Sequence, residues 1–316
     1  MSEKKIITII GATGTQGGGL ANAILSDQNS EFSVRAVTRN PNSDNAVALA
    51  NAGAEVIKAD LDDVDSLRKA FEGSYGAFCI TNFWEHFSPE KEIKQAKNMA
   101  EAAKYCGVKH TIWSSLDDTR KLVPLEDDRM PTLMGNYKVP HFDAKGEADK
   151  FFLNDGPPST VVYTVFYWDN MIYFGLGPKR GEDGKLFISY PMADKKLPGI
   201  AAEDIGKAVY GVFKSGDQFI GKTIGIAGEQ LTCKEMASAL SSTLGEEVLY
   251  HDVEPDTYRS WGFQGADDLG NMFQYKRDFE EQFTRSRNVE LTRSLNPDLL
   301  SFKAWLDKYG NKISVE

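Results

Sequence analysis

The feature that most constrains this chain is a glycine triplet set directly after a strand-like run. Lys5-Ile6-Ile7-Thr8-Ile9-Ile10 is β-branched and apolar on both faces, as a strand buried inside a parallel sheet must be. It passes without a break into Gly11-Ala12-Thr13-Gly14-Thr15-Gln16-Gly17, and Leu20, Ile24 and Leu25 follow at helical spacing. The first glycine permits a tight turn out of the strand, the second lets backbone approach a pyrophosphate, and the third lets the helix lie close to the sheet. The helix N-terminus then offers N–H groups and the positive end of its dipole to an anion. A glycine triplet alone says little. Between a first strand and a helix it predicts a dinucleotide phosphate site, with a merely structural turn as the alternative.

The rest of the first 155 residues fits that start. Further strands are predicted at Phe32 to Thr38, Glu55 to Ala59, Gly76 to Thr81 and His110 to Ser115, with helices near 42–52, 64–71 and 89–106 between them. Ser88 and Pro89 open the last of these helices and Gly107 closes it. Such alternation implies right-handed βαβ crossovers and a doubly wound α/β Rossmann sheet. Later the pattern loosens. Thr160 to Tyr167 and Lys185 to Tyr190 read as strands, Ala202 to Lys214 as an amphipathic helix, and Thr232-Cys233-Lys234-Glu235 as a capping box opening a helix that ends at Gly245. Asn296-Pro297 reads as the opening of the final helix. The division expected is a dinucleotide-binding domain over 1–157, and over 158–316 the remaining strands with a smaller, discontinuous α+β lobe.

Cofactor choice is read at the end of the second strand. A carboxylate there would bond the ribose hydroxyls of NAD(H), but the chain has Thr38-Arg39-Asn40-Pro41. A guanidinium can pair with a 2′-phosphate through two charge-assisted bonds, which favours NADP(H); the alternative is an ordinary solvated arginine. Asp60 and Leu61, after the third strand, are placed to border the adenine, although acids at strand ends serve equally as turn caps.

Composition narrows the classes. Hydrophobic residues make up 41% of 316, enough for a large core without disulfide or metal staples. Lys and Arg number 36 against 46 Asp and Glu, a net charge of −10, which argues against direct nucleic-acid or membrane binding. No apolar run reaches membrane-spanning length, and Met1-Ser2-Glu3-Lys4-Lys5 leads into a strand with no signal-type stretch. Cys79, Cys106 and Cys233 are distant and odd in number, so they read as reduced thiols of a cytoplasmic protein. The four histidines and three cysteines lack metal-ligand spacing, and no Gly-x-Ser-x-Gly elbow is present. The segment Asp117 to Pro140 is long for a connection, and is expected either to order when dinucleotide fills the cleft or to be a floppy surface loop.

The chain resembles the NmrA-like family of atypical short-chain dehydrogenases. The likeness is carried almost end to end by GATGTQGG, VRAVTRNP, ITNFWEHFSPEKEIKQ, HFDAKGEADKFF, GFQGADDLGNMFQ and LNPDLLSFKAWLDK. The resemblance implies an NADP(H)-binding Rossmann domain with a small C-terminal domain, acting as a sensor of the NADPH/NADP⁺ ratio. It further implies association with itself, as a homodimer, and with a regulatory protein partner such as a transcription factor or signalling enzyme, in the cytoplasm and also the nucleus. Gly11, Thr13, Gly14, Thr15, Gln16 and Gly17 match the phosphate turn and Arg39 the 2′-phosphate arginine. Thr81, Asn82 and Phe83 fall at the nicotinamide side, and Lys145 matches the lysine reaching the nicotinamide ribose. Phe166, Trp168 and Asn170 lie on the segment that closes over the nicotinamide.

Catalysis is the open question at this stage. The usual pair is Tyr and Lys four apart, the lysine lowering the tyrosine pKa so that it can pass a proton to the substrate. Here His141 stands four before Lys145, and Tyr137 lies beyond Pro140 in a loop. His141 could act as the acid, with Lys145 at the ribose, in an NADPH-dependent reductase of a small carbonyl or quinone. The bland alternative is a first-turn helix residue with a packing role. Ser114 and Ser115 match where a substrate-orienting serine is placed, or are strand-end turn residues.

Overall fold

The structure is a computed structural model that describes residues 4–315. Six strands, β1 (Lys5–Ile10), β2 (Phe32–Thr38), β3 (Glu55–Lys58), β4 (Gly76–Cys79), β5 (His110–Ser115) and β6 (Ser159–Tyr163), form one parallel sheet with a seventh strand at Thr223–Gly225. Their order, β3-β2-β1-β4-β5-β6 and then the seventh, reverses direction at β1, the doubly wound arrangement. Every neighbouring pair in it is parallel. Ile7, Ile9, Phe78, Ile112 and Val161 are buried, which is why these strands read as continuous apolar runs.

The crossovers are helices α1 (Thr15–Ser26), α2 (Asp44–Asn51), α3 (Val64–Phe71), the short α4 (Phe83–His86), α5 (Pro89–Tyr105) and α6 (Pro140–Ala148). Side chains fix where they start. The Ser43 hydroxyl accepts from the Ala46 N–H, Asp63 accepts from the N–H groups of Asp65 and Ser66, and Ser88 accepts from the Lys91 N–H. Helix α1 packs face to face on the helix Ala202–Lys214. A Cβ on Gly19 would sit 2.7 Å from the Glu203 carbonyl oxygen, and one on Gly206 would collide with the Leu20 amide, so only glycine allows this approach.

The C-terminal half adds two three-stranded sheets, one of Glu229–Thr232, Lys196–Ile200 and Phe166–Tyr167, the other of Val248–Asp252, Leu186–Tyr190 and Lys179–Arg180. The single strand expected over 160–167 divides, because Phe166 and Tyr167 leave the large sheet to pair with Gly199 and Ile200. The capping box at Thr232 and Glu235 is present, and its helix Cys233–Leu244 ends on Gly245 at φ +70°. The final helix is corrected. Asn296-Pro297 follows the helix Val289–Leu295, where Asp204 accepts from Asn296 Nδ2 at 3.0 Å and the Leu300 N–H at 2.9 Å. The last helix is Phe302–Tyr309, capped by Ser301.

The segment 117–140 is fastened to the body of the protein at several points. The buried Asp143 carboxylate accepts from the N–H groups of Thr119 (2.8 Å), Lys138 (2.8 Å) and Val139 (3.0 Å). From the helix Ala266–Asp278, Asn271 Nδ2 donates to the Pro131 carbonyl at 2.9 Å and Gln274 Nε2 to the Arg129 carbonyl at 2.8 Å.

Candidate functional site

The glycine turn has the geometry its sequence predicts. Gly11 sits at φ +65°, and the Gly14 N–H closes the turn on the Gly11 carbonyl at 2.9 Å. Gly14 is the extended N-cap of α1, and no side chain caps the helix, so its first N–H groups are left to the cleft. A Cβ on Gly17 would run into the carbonyl oxygen of Gly11. This bare, glycine-lined concavity at a helix N-terminus fits the diphosphate of a dinucleotide.

Ile10 pairs with Val37, so the turn and Arg39 leave adjacent strand ends. Arg39, Lys58, Ala59, Asp60, Asp63 and Ser66 line a cavity of about 240 Å³ at the ends of β2 and β3. Lys58 was not singled out in the sequence; its cue was its place at the end of β3, opposite Thr38 on β2. Asp60 behaves as a turn residue, accepting from the Asp62 N–H at 2.9 Å while its own N–H donates to Ser66 Oγ at 3.0 Å. The Leu61 carbonyl accepts from Asn98 Nδ2 at 2.8 Å. Arg39 is paired end-on with Glu85 through both terminal nitrogens, with Nη2 to Oε2 at 3.1 Å. That hydrogen-bonded guanidinium lowers the Glu85 carboxyl below its ordinary range.

Beyond the carboxyl end of β4, Lys145 is buried and fully engaged. Its ammonium has three protons, and three acceptors meet it: Thr81 Oγ1 at 2.6 Å, the Thr81 carbonyl at 3.2 Å and Glu92 Oε1 at 2.8 Å. Thr81 Oγ1 donates to Glu92 Oε1 at 2.6 Å, and His86 Nε2 lies 3.3 Å from the other Glu92 oxygen. Burial pushes the Glu92 carboxyl up, but the Lys145 charge and hydrogen bonds from His86, Lys145 and Thr81 bring it to about 2. The cluster ties α5 and α6 to the end of β4. Lys145 is thus ion-paired with Glu92 and hydrogen-bonded to Thr81.

His141, one helical turn before Lys145 on α6, has a different arrangement. Its Nδ1 lies 2.6 Å from Asp268 Oδ1, and its backbone N–H donates to Asp268 Oδ2 at 3.2 Å. A carboxylate only accepts, so Nδ1 carries the hydrogen of this bond and Nε2 is the ring nitrogen outside it. Both residues are buried, and the imidazole lies against Trp84 with ring centroids 4.7 Å apart. Asp268 comes from the first turn of a helix 127 residues further on, and no local pattern joins it to His141. The only cue was its place within GFQGADDLGNMFQ.

Several sequence-assigned residues sit elsewhere. Gln16 spends its side chain within the fold, donating from Nε2 to Tyr167 OH at 2.6 Å and accepting from Ser114 Oγ at 2.8 Å. Ser114 is thereby hydrogen-bonded within the fold, and Ser115 donates to Asp149 at 2.5 Å. Phe166 packs on Tyr190 and Phe273, and Trp168 on Phe302 and Trp305, and both are buried. Asn170 is half-buried and begins the helix Asn170–Tyr173, where its carbonyl accepts from the N–H groups of Phe174 and Leu176. Phe83 is buried beneath Trp84, and Asn82 is exposed at the start of α4. Thr13 and Thr15 remain at the turn, the Thr13 carbonyl accepting from Asn45 Nδ2 at 3.3 Å. Among the described residues no group of three or more His, Cys, Asp and Glu could hold a metal ion, and no helix is long and apolar enough to cross a membrane.

A doubly wound sheet with a bare glycine turn at the end of its first strand defines a Rossmann-type dinucleotide fold. Comparison places the chain more narrowly. The family model for the NmrA-like family matches residues 3–306, and the chain belongs to that family. It is 27% identical over 289 residues to the NmrA-like family domain-containing oxidoreductase FrzB of Cladobotryum sp, covering 85% of this chain and 83% of that one. It is 30% identical over 269 residues to the oxidoreductase cpsB of Aspergillus campestris, covering 79% and 76%. Among solved structures it is similar to NmrA, a negative transcriptional regulator, in complex with NADP, with TM-score 0.76, 23% identity and 98% of each chain covered.

Proposed function

We propose that this protein is an NADP(H)-dependent oxidoreductase that reduces a small carbonyl or quinone. The observation that carries the reading is the His141–Asp268 pair, buried one helical turn from Lys145. A nucleotide-binding protein needs no imidazole with a fixed tautomer in this position, whereas a reductase needs a proton donor there. Relatives named as oxidoreductases, and the complex of NmrA with NADP, support the cofactor and the reaction class.

In this reading the turn from Gly11 to Gly17 receives the diphosphate, and Arg39 and Lys58 receive the 2′-phosphate. Bound NADPH supplies a hydride to the substrate carbon. His141 Nε2 gives a proton to the substrate oxygen, with Asp268 holding the ring and stabilising its charged form. Lys145, kept by Glu92 and Thr81, holds the floor of the site and adds positive potential beside it.

The test is NADPH oxidation with a panel of aldehydes and quinones by the wild type, His141→Gln and Asp268→Asn. Turnover that falls at least tenfold in both variants, with NADPH affinity unchanged, is the expected result. No turnover with any acceptor, or turnover indifferent to His141, would reject it.

A second reading, the redox sensor in which the NADPH/NADP⁺ ratio sets association with a copy of itself or a regulatory protein, is favoured by the adjacent aromatics Tyr173 and Phe174, 61% and 64% exposed. An oligomer size that differs between NADPH and NADP⁺ without turnover would support it.

A further inference from the structure

The Arg39–Glu85 pair joins two strand ends that flank the glycine turn. Arg39 follows β2 and Glu85 follows β4, and β1 with its turn lies between them in the sheet. We infer that Glu85 is a specificity-determining residue: its carboxylate competes with the nucleotide's 2′-phosphate for Arg39 and so narrows the preference for NADP(H) over NAD(H). The inference rests on the reading that a dinucleotide occupies this cleft.

The chemistry follows from the donors involved. Both terminal nitrogens of Arg39 are bound by Glu85, and this is the fork that a phosphate would use end-on. A 2′-phosphate brings between one and two negative charges close to a carboxylate that the arginine keeps ionised. The backbone that carries Glu85 is anchored. Glu85 sits on the four-residue α4, where Phe83 is buried and Trp84 is wedged between His141 (4.7 Å) and Phe87 (5.7 Å). Gly265, whose Cβ would lie 3.0 Å from the Trp84 ring, closes the other side. NAD(H) meets no such rivalry, because its ribose hydroxyl can donate to a carboxylate and leave the pair intact.

The experiment is calorimetric titration of the full chain and its Glu85→Gln and Glu85→Ala variants with NADPH, NADP⁺, NADH and NAD⁺. Removing one unit charge a few ångströms from a phosphate at a water-exposed site should tighten the two phosphorylated forms about five- to tenfold. The two unphosphorylated forms should stay within about twofold or weaken, which is too small a change to confuse with loss of a charge. Phosphorylated forms that bind no tighter in either variant, or all four forms tightening together, would overturn the inference while leaving the nucleotide site standing. Wild-type protein that takes up none of the four would remove the nucleotide reading and this inference with it.

Discussion

Lys276 should be a liability to the fold, and replacing it with methionine should make the protein more stable. Its ammonium is buried among the rings of Phe142, Phe273 and Phe283, at 5.4, 5.9 and 5.4 Å, and donates to Met272 Sδ at 3.3 Å. The charged groups that reach it are Arg287, which adds repulsion, and Asp117, which opposes it while paired with Arg287. Burial first, then Arg287, brings the amine from its ordinary 10.5 down to about 7. At about 1.4 kcal/mol per pH unit, holding the ammonium in this cage costs at most about 5 kcal/mol. The three rings return part of that through cation–π attraction, so Lys276→Met is expected to gain about 1–3 kcal/mol. Between pH 7 and 10.5 the unfolded chain binds the proton and the folded chain does not, so wild-type stability rises with pH across that window. The advantage of the methionine variant is therefore full at and below pH 7 and fades toward pH 10. Urea unfolding of both proteins at pH 6, 8 and 9.5 measures it. A variant less stable than wild type at pH 6, or a gain that does not change with pH, would refute the reasoning.

Gly17→Ala should abolish nucleotide binding and lower the melting temperature, because the new methyl meets the Gly11 carbonyl; unchanged calorimetry would mean the turn is not the phosphate cradle. Glu92→Gln should destabilise by about 3–5 kcal/mol by leaving the Lys145 ammonium buried without its counter-charge, as read by denaturant unfolding. Because the Glu92 carboxyl is depressed to about 2, its contribution to the wild type is present above pH 4.5 and is lost between there and pH 2, so wild type and variant should converge in acid.

What could be read in the sequence was local. The strands Lys5–Ile10, Phe32–Thr38 and His110–Ser115 and the helix Ala202–Lys214 lie where periodicity puts them, because burial on both faces or one stripe writes itself into consecutive residues. The phosphate turn was equally legible, since its glycines act on their own backbone. Asn296-Pro297 misled because the same pair serves a turn as well as a helix start, and Asp204, far away in the chain, decided between them. The site's polar partners were hidden for the same reason. Glu92 stands in the first turn of α5, where an acid normally faces water, and only the fold brings Lys145 onto it. Asp268 and Glu85 likewise acquire their meaning from residues 127 and 46 positions away. Gln16 was assigned to phosphate by its position in the turn, whereas its side chain serves Ser114 and Tyr167.

The most direct measurement is a titration of the purified protein with NADPH followed by calorimetry, repeated on Arg39→Ala. The account predicts saturable heat with NADPH from the wild type, and a loss of affinity in the variant for NADPH and NADP⁺ but not for NADH and NAD⁺. A wild-type protein that binds no pyridine nucleotide would contradict it at its base.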